Sequence, residues 1–550
     1  NLVAMELEET VRAYPLDGVV YLANCDKTVP AALMSAASTD VPSLLLLGGA
    51  RSAPEFRGRP LGAGTDLWRA LEDRRAGVLD DDGWRGLERC LACAGPGACN
   101  VMGTASTLAL LTEAMGMALP GTALLDATGP AIEAAARATG ERVVAMVGRA
   151  ERPSARITQP ALDTAARVLA AVGGSTNAVI HLAAVAGRLG LDASLARFDA
   201  LWRDVPLIAD VEPCGGGLVH QLRRDGGLPT ILAALSAPST LPALPAPSTL
   251  PDLPDLPDLA QGPQHRVSTN GRDLGDMSPS FCTLDDREPA GLVDLDQVAG
   301  DGRAWREVVG GYPRPGVAGS LIRTLDDPVL SAPTLAAVSG TLAPSGAVIK
   351  VAAASPELLT HTGRAVVFDS YDDMRTRLDD PDLDVDAGDV LVVRGCGPVG
   401  VPGMPEWGMA PIPQRLVEQG VRDMVRVSDG RMSGTSFGTV LLHVAPEAAV
   451  GGPLGLVHDG DPVRLDVPAR RLDLLVDPAE LDRRRAARAA GAAGAEGAVG
   501  APRAGARHLR GWPRLYADHV LQADQGADLD FLTAPTPAHR VFVEPVIGRS

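Results

Sequence analysis

The sequence has few aromatic residues, no long apolar run and no excess of positive charge. Phe, Trp and Tyr make up 3% of its 550 residues, which predicts a core built from Leu, Val and Ala. No run reaches the about 18 to 20 apolar residues of a membrane-spanning helix, so we expect no membrane as partner. A formal net charge of −18 argues against nucleic acid or an anionic lipid surface.

Cysteine is also scarce, with seven residues and hence an odd number. No secretory signal precedes them, so we expect a cytoplasmic protein in which grouped cysteines serve metal binding or catalysis rather than disulfides. The length predicts two or more domains. The sequence opens at Asn1 without Met, inside a predicted helix, and we therefore expect a fragment.

The first part of the chain alternates helices with short apolar strands. Helices are predicted over Leu2–Ala13 and Ala31–Ala37, and strands over Val19–Leu22 and Ser43–Leu47. This alternation predicts a three-layer α/β domain with a mostly parallel sheet over residues 1–340.

Three reactive side chains follow the first predicted strand. Cys25, Asp26 and Lys27 bring together a soft thiol, a hard carboxylate and an amine, and Pro30 suits the first turn of the next helix. We interpret this as strand, tight loop and helix, with the loop at the sheet edge where α/β proteins bind ligands. The alternative is a surface turn with a chance cysteine.

A second cysteine group lies in a loop that is rich in glycine and proline. Cys90, Cys93 and Cys99 there are typical of iron–sulfur or zinc ligation, and inert thiols are the alternative. Further along, Gly173–Asn177 opens a predicted helix and offers an anion site through its free N–H groups. His181 in that helix is predicted to be a packed or surface residue.

After about residue 340 the pattern changes to short strands separated by glycine-rich turns. This predicts a second, β-barrel-like domain over residues 341–550, with glycine-rich loops at 395–406 and 428–435. The strands are predicted at 347–351, 365–368, 390–394, 424–427 and 440–444. Residues 237–263 form a low-complexity Pro/Leu insertion, 484–507 are predicted to be a loose linker, and Leu515–Leu532 a terminal helix.

Six stretches together resemble one family, the dihydroxy-acid and 6-phosphogluconate dehydratases, which include sugar-acid dehydratases. They are Asn-Cys-Asp-Lys-Thr-Val-Pro (24–30), Gly-Ala-Cys-Asn-Val-Met-Gly-Thr-Ala-Ser-Thr (97–107), Gly-Gly-Ser-Thr-Asn-Ala (173–178), Gly-Ala-Val-Ile-Lys (346–350), Pro-Gly-Met-Pro-Glu (402–406) and Ser-Asp-Gly-Arg-Met-Ser-Gly-Thr (428–435). They run in the family's order through nearly the whole chain. Met-Gly-Thr-Ala-Ser-Thr, Met-Pro-Glu-Trp-Gly-Met and Arg-Met-Ser-Gly-Thr are more similar to the sugar-acid branch, of the arabinonate, xylonate or galactonate type.

The resemblance implies a site with two metals. It makes Cys25 and Cys99 two of three cysteine ligands of a [2Fe–2S] cluster, and Asp26 and Glu406 ligands of Mg²⁺. It makes Lys27 a carbamylated lysine, which suits a hard cation because a carbamate offers anionic oxygen where an ammonium repels. The same turn then binds a soft metal centre through the Cys25 thiol and a hard metal ion through the Asp26 carboxylate.

The resemblance also implies the reaction, which is loss of water from a 2,3-dihydroxy acid to give a 2-keto-3-deoxy acid. Ser433 matches the base, acting as an alkoxide whose pKa nearby cations would lower. The site would lie between the two domains. A homodimer or homotetramer acting on a small-molecule acid is expected.

One part of the family pattern is missing. Another cluster cysteine and another acidic magnesium ligand belong upstream of Cys25, and we favour truncation over replacement by Cys90 or Cys93. If this chain is the whole protein, we expect a poorly retained cluster and little dehydratase activity. A full, stable [2Fe–2S] complement after anaerobic purification, seen by visible absorption and iron analysis, would contradict this.

Four functions therefore stand at this point. The first is a sugar-acid dehydratase, and the second is the dihydroxy-acid dehydratase of branched-chain amino-acid biosynthesis. The third is an inactive remnant that folds without a complete cluster site. The fourth is a zinc-binding module built on the three grouped cysteines.

Overall fold

The structure, a computed structural model, describes residues 1–92, 94–238, 291–494 and 510–533. The helices are α1 (Leu2–Ala13), α2 (Cys25–Thr39), α3 (Thr65–Arg75), α4 (Asp81–Ala92), α5 (Thr104–Ala114), α6 (Pro130–Arg149), α7 (Gln159–Ala171), α8 (Asn177–Leu189), α9 (Leu195–Trp202), α10 (Val219–Arg224), α11 (Gly227–Ser236), α12 (Trp305–Val309), α13 (Tyr371–Arg377), α14 (Gln414–Glu418), α15 (Pro478–Gly494) and α16 (Trp512–His519).

The strands are β1 (Val19–Ala23), β2 (Ser43–Leu47), β3 (Glu55–Phe56), β4 (Arg59–Pro60), β5 (Pro206–Leu207), β6 (Leu330–Pro333), β7 (Ala336–Val338), β8 (Gly346–Ile349), β9 (Thr360–Phe368), β10 (Val390–Val393), β11 (Glu406–Trp407), β12 (Arg426–Ser428), β13 (Arg431–Met432), β14 (Val440–Ala445), β15 (Pro462–Asp466) and β16 (Arg471–Leu474).

In the first region a short parallel sheet lies between helices. β1 and β2 pair in parallel along their full length. Helix α6 covers one face, where Leu44 lies against Val143 and Met146, and α2 covers the other, beside Tyr21 and Leu45. β2 is almost fully buried and has the unbroken apolar run that burial on both faces needs, whereas Val20 and Leu22 of β1 are exposed. The predicted three-layer α/β arrangement is confirmed, with helices making up most of the described region.

The core of this region is made of small and aliphatic side chains, as predicted. Every residue of α5 is buried, and α2, α7 and α8 pack around it. Most of the core side chains there are Ala, Leu and Val. Small side chains let helix axes approach closely, so a helix that is buried on every side is accommodated in the centre.

Helix α2 begins earlier than the sequence predicts. The Asn24 side chain accepts a 2.9 Å hydrogen bond from the backbone N–H of Cys25 and so caps the helix there. Cys25, Asp26 and Lys27 therefore lie in the first helical turn, and the prediction of a separate loop is wrong. Pro30 lies inside the helix, past its first turn.

The second region is a β-barrel. Its eight strands follow the order β16-β15-β9-β10-β12-β14-β8-β7. Ser339, just after β7, bridges Arg471 at the start of β16 and brings the two edge strands together. Closing a sheet in this way removes its exposed edges. The predicted barrel-like fold is confirmed, and all five predicted strands form.

Strand β10 shows how the barrel is held. Val390 and Val392 point into one core with the barrel interior, while Leu391 and Val393 join a second core outside it. Residues of α13 and α14 and Trp68 of α3 complete this outer core. Because α3 belongs to the first region, the outer core also joins the two regions.

Two predictions near the C-terminal end are corrected. The linker predicted over 484–507 is helical to Gly494, because Arg484 binds Asp461 and Arg488 donates to backbone carbonyls of the barrel. The rest of that linker lies outside the described residues, as does 239–263 of the Pro/Leu insertion. The helix predicted over 515–532 ends at His519, where Val520 turns to an extended conformation. No helix in the described part of the chain is long and apolar enough to cross a membrane.

Candidate active site

The first turn of α2 places three predicted site residues at the carboxyl end of β1. Asn24 caps the helix and also donates a 2.9 Å hydrogen bond to the carbonyl of Gly49, just after β2. Cys25 adopts φ +69° at the strand-to-helix junction. Both ends of the turn are thus fixed, and Asp26 and Lys27 project from a rigid element.

The Lys27 ammonium lies between two carboxylates. It donates to Asp26 and, over 2.9 Å, to Oε2 of Glu406 on β11. Burial raises the pKa of Glu406. Burial acts in the same direction on Asp26, but the hydrogen bond and charge of Lys27 outweigh it and lower that pKa. The structure therefore brings together one cation and two carboxylates from both regions of the chain.

The Cys25 and Cys99 thiols lie near these carboxylates. Burial raises the pKa of Cys25 to about 11, and the charges of Asp26 and Cys99 add to the effect. Burial also raises the pKa of Cys99, with Asp26 and Glu406 adding to it. Neither thiolate is favoured without a cation nearby, and bound metal reverses this preference.

The donor atoms fit the two expected groups unequally. Two carboxylates that converge on one positive charge are a hard-oxygen pair suited to Mg²⁺. Two adjacent thiols suit a soft iron centre. Within the described ranges, no three His, Cys, Asp or Glu side chains come together as a possible metal site. The two carboxylates therefore converge on one point, and neither group finds a complete set of ligands among the described residues.

A two-strand ladder links the segment of Ser433 to the segment of Glu406. β11 and β13 pair in parallel, with Glu406 opposite Arg431. Ser433 directly follows β13, and its backbone N–H donates over 2.7 Å to the carbonyl of Trp407. The ladder thus connects the predicted base to the Lys27 ion cluster.

Residues 433–435, which we call the serine loop, are held by the first region. Trp68 donates its indole N–H to the Thr435 hydroxyl over 2.9 Å, and the Thr65 hydroxyl donates to the Thr435 carbonyl over 3.0 Å. The Thr435 hydroxyl is in turn 2.9 Å from Oγ of Ser433. This chain of contacts fixes the rotamer of the serine.

Helices α5 and α8 begin at the serine loop. Asn177 donates its side-chain N–H to the carbonyl of Met432 over 2.9 Å, and the hydroxyls of Thr104 and Ser175 are 2.8 Å apart. A side chain at Gly434 would lie 2.4 Å from the Ser175 hydroxyl, so only glycine permits this approach. Helix N-termini favour negative charge nearby. The Gly-Gly-Ser-Thr-Asn segment, predicted to be an anion site, packs against the serine loop.

A cavity of about 290 Å³ adjoins Lys27. Arg431 lines it with a buried side chain that donates through Nε to the Met404 carbonyl over 2.8 Å. Nη1 of Arg431 has no hydrogen-bond partner in the described structure and lies 3.9 Å from Oε2 of Glu406. Nε2 of His181, another lining residue, is likewise buried without a partner. The apolar part of the lining comes from Pro30, Met34, Ile180, Trp512 and Tyr516.

Other predicted candidates lie elsewhere or outside the description. The Asp429 carboxylate accepts backbone N–H bonds from Cys396 (2.9 Å) and Ala448 (3.0 Å), so it serves the barrel. Cys90 is on α4, and Cys93 is outside the described residues, so the zinc hypothesis stays a prediction.

Sequence reasoning assigned no role to Trp68, Thr65 or Arg431. Only Arg431 lay in a stretch already singled out, Ser-Asp-Gly-Arg-Met-Ser-Gly-Thr.

Models of one protein family match both regions of the chain. Residues 1–243 match the dihydroxy-acid/6-phosphogluconate dehydratase N-terminal family and residues 320–527 its C-terminal counterpart. The chain is 40% identical to the L-arabonate dehydratase of Azospirillum brasilense, over 98% of this chain and 83% of that protein.

Two further relatives carry other substrate names. The 6-deoxy-6-sulfo-D-gluconate dehydratase of Pseudomonas putida is 38% identical, over 97% of this chain and 81% of its own length. The dihydroxy-acid dehydratase of Methanoregula boonei is 35% identical, over 88% and 77%. Family models match both regions, and the chain covers most of the length of each of these relatives. The chain therefore belongs to the dihydroxy-acid/6-phosphogluconate dehydratase family of enzymes.

Proposed function

We propose that this protein is a hydro-lyase that removes water from a sugar acid with hydroxyls at C2 and C3, giving a 2-keto-3-deoxy acid. One observation carries the proposal. The Lys27 ion cluster and Ser433 are joined by the β11–β13 ladder, although Lys27 and Glu406 are 379 residues apart. A fixed serine that can serve as a base, and carboxylates that can hold a divalent cation, are the two parts that abstraction of a proton next to the carboxylate of a substrate needs.

Asp26 and Glu406 would hold Mg²⁺, joined by Lys27 once it is carbamylated. Carbamylation would replace the ammonium that now lies between the carboxylates with an anionic oxygen donor. Cys25 and Cys99 would be this chain's ligands to a [2Fe–2S] cluster. When bound, these groups supply Lewis acidity at the substrate oxygens.

Ser433 is the proposed base. As an alkoxide it takes the C2 proton and the C3–O bond breaks. The C3 hydroxyl leaves as water with the proton that Ser433 has taken, which restores the alkoxide. The enol that remains tautomerises to the 2-keto acid. The N-termini of α5 and α8 beside the serine loop favour the alkoxide, and the Thr435 hydroxyl at 2.9 Å offers it a hydrogen bond.

The cavity beside Lys27 favours a polyhydroxylated substrate. Buried nitrogens of Arg431 and His181 there have no hydrogen-bond partner within the described structure. Hydroxyl groups of a sugar acid would satisfy them, whereas the alkyl chain of a branched-chain dihydroxy acid would leave them unpaired at a cost. The dihydroxy-acid dehydratase reaction is the second candidate, because the apolar part of the lining and a 35% identical relative of that name support it.

The experiment compares substrates and one variant. Anaerobically purified protein is given a panel of aldonates and 2,3-dihydroxyisovalerate, and 2-keto acid is measured. We expect aldonates to react faster and Ser433→Ala to lower kcat ~100- to 10,000-fold. Ser370→Ala, which removes the N-cap of α13 on the outside of the barrel, is the control. Faster turnover of the branched-chain acid would favour the second candidate, and full activity of Ser433→Ala would overturn the role of the serine.

We further propose two domains, 1–340 and 341–550, that assemble as a homodimer or homotetramer with the site between the domains. The contacts of Trp68 and Asn177 with the 432–435 segment support the site position. Light scattering of the purified protein tests the assembly, and a monomer would contradict it.

A further inference from the structure

Lysine is almost absent from this protein. Of its 50 lysine and arginine residues, only Lys27 and Lys350 are lysines. Arginine supplies the positive charge everywhere else, including the buried pair of Arg188 with Asp528. A lysine in so arginine-rich a sequence indicates a position that needs a compact ammonium rather than a planar guanidinium. Lys27 has such a task in the proposed function, whereas Lys350 has none so far.

The Lys350 ammonium lies beneath the serine loop. Lys350 follows strand β8 of the barrel and is 7% exposed. Its Nζ donates a 3.1 Å hydrogen bond to the carbonyl of Gly434. Since Gly434 follows Ser433 directly, this bond ties the ammonium to the backbone next to the proposed base.

No carboxylate in the described part of the chain forms an ion pair with Lys350. Burial lowers its pKa, and the thiol of Cys214 is the neighbour that opposes this effect. A buried ammonium without a counter-ion is unfavourable in a folded protein. A negative charge that forms close by during the reaction would be stabilised by it, and buried groups of this kind gather at functional sites.

We propose that Lys350 is a positioning residue for Ser433. Its hydrogen bond to Gly434 fixes the serine loop, and its charge stabilises the alkoxide at Ser433. This inference rests on the proposed function of the serine. The other charged groups near the loop, Lys27, Glu406 and Arg431, are the same in all variants whose titration or turnover is compared below; Lys27→Met serves only to assign a signal.

Electrostatic coupling can be measured without turnover. The full chain labelled with ¹³C,¹⁵N-lysine gives two side-chain signals, and Lys27→Met assigns them by removing one. We expect Lys350 to be charged at neutral pH, and to titrate about one pH unit higher in Ser433→Asp than in Ser433→Asn, because an added carboxylate favours the ammonium. A neutral Lys350 at pH 7, or identical titration in the two variants, would overturn the proposal.

The pH dependence of kcat separates the effect of the charge of Lys350 from the effect of its shape. In Lys350→Met the acidic limb of the kcat–pH profile should move up by about one unit, since the alkoxide loses a stabilising charge. Lys350→Arg should lower kcat but leave the limb in place. Arg426→Met, which removes another buried cation of the barrel, is the control and should leave the limb unchanged.

Equal loss of kcat at every pH in both Lys350 variants would show a merely structural role and overturn the proposal. Activity retained by Ser433→Ala would refute the proposed base instead. If the chain has no turnover, the proposed function fails, and the lysine titration still decides whether Lys350 and position 433 are coupled.

Discussion

Lys27 acts in this structure as the cation of its own site. Its ammonium contacts Asp26 and Glu406, two carboxylates that would repel each other without it. Carbamylation would reverse the sign of that side chain and create a net negative pocket that a divalent cation can fill. At the residue scale, the net charge of the site would therefore depend on whether Lys27 is an ammonium or a carbamate.

Glu406 should be required for binding of a divalent cation. We expect Glu406→Gln to weaken Mn²⁺ binding, followed by electron paramagnetic resonance, by about 10- to 100-fold, because a neutral amide replaces an anionic oxygen. Glu418→Gln on the exposed surface of α14 is the matched control. Equal Mn²⁺ affinity in wild type and Glu406→Gln would contradict the assignment.

Cys99 should contribute to iron binding. Anaerobically purified Cys99→Ser should carry less iron per chain than wild type, because serine is a poor ligand for a soft centre. Cys214→Ser is the control, since that thiol packs against the Gly173 carbonyl at 3.6 Å. Iron content that does not change in Cys99→Ser would remove this cysteine from the proposed ligand set.

At the element scale, short segments do most of the positioning. The ladder of β11 and β13 has two residues in each strand, yet it aligns Glu406 and Ser433. Helix α5 begins at the serine loop and carries Glu113 in its last turn, where the two carboxylate oxygens accept N–H bonds from Gly121 (2.7 Å) and Ala123 (2.8 Å). One helix thus joins the site to a buried turn.

Glu113 should make stability depend on pH. Burial raises its pKa from 4.5 to about 7, so between these values the folded state holds a proton that the unfolded state releases. The contribution is complete below pH 4.5 and falls by about 3 kcal/mol as pH rises to 7. Denaturant unfolding of wild type at pH 5 and pH 8 measures it.

Glu113→Gln provides the test of assignment. The amide resembles the protonated acid in shape and in its single strong acceptor, so at pH 5 the variant should match wild type within about 1 kcal/mol. Toward pH 8 it should become the more stable protein by about 3 kcal/mol, because wild type ionises and the amide does not. A smaller slope remains because burial also raises the pKa of Glu447 to about 7. Parallel stability curves for the two proteins would contradict the shift.

At the scale of the whole molecule, a buried charge network fastens the C-terminal segment. Arg188 of α8 binds Asp528 over 2.8 Å, Glu8 of α1 over 3.0 Å and Ser38 of α2 over 2.9 Å. The same segment carries Trp512 and Tyr516, which line the cavity beside Lys27. The network therefore couples the cavity wall to the first region.

Arg188→Met should destabilise the protein by about 3 to 5 kcal/mol, because it removes the ion-pair partner of the buried Asp528 and leaves the buried Glu8 only its pair with Arg12. Arg223→Met is the control, since its pair with Asp126 is exposed and worth about 0 to 1 kcal/mol. Both are measured by denaturant unfolding. Equal losses in the two variants would show that burial does not decide the strength of these pairs.

The local pattern of apolar and polar residues predicted much of the secondary structure. Apolar runs such as Ser43–Leu47 and Val390–Val393 form strands where predicted, because they are buried on both faces and bounded by turn residues. Prediction of secondary structure was less reliable where tertiary contacts oppose the preference of the local sequence. Residues 484–494 of the predicted linker are helical because Arg484 and Arg488 bind the barrel, and composition does not encode that contact.

The sequence by itself determined the chemistry of the side chains and the α/β-plus-barrel fold, since both follow from residue type and local periodicity. Tertiary structure alone decided which side chains meet. It set Lys27 against Glu406, fixed the serine loop with Trp68 and buried Lys350 beneath it. These contacts join residues far apart in the chain, and their energies depend on burial and distance, which no local pattern specifies.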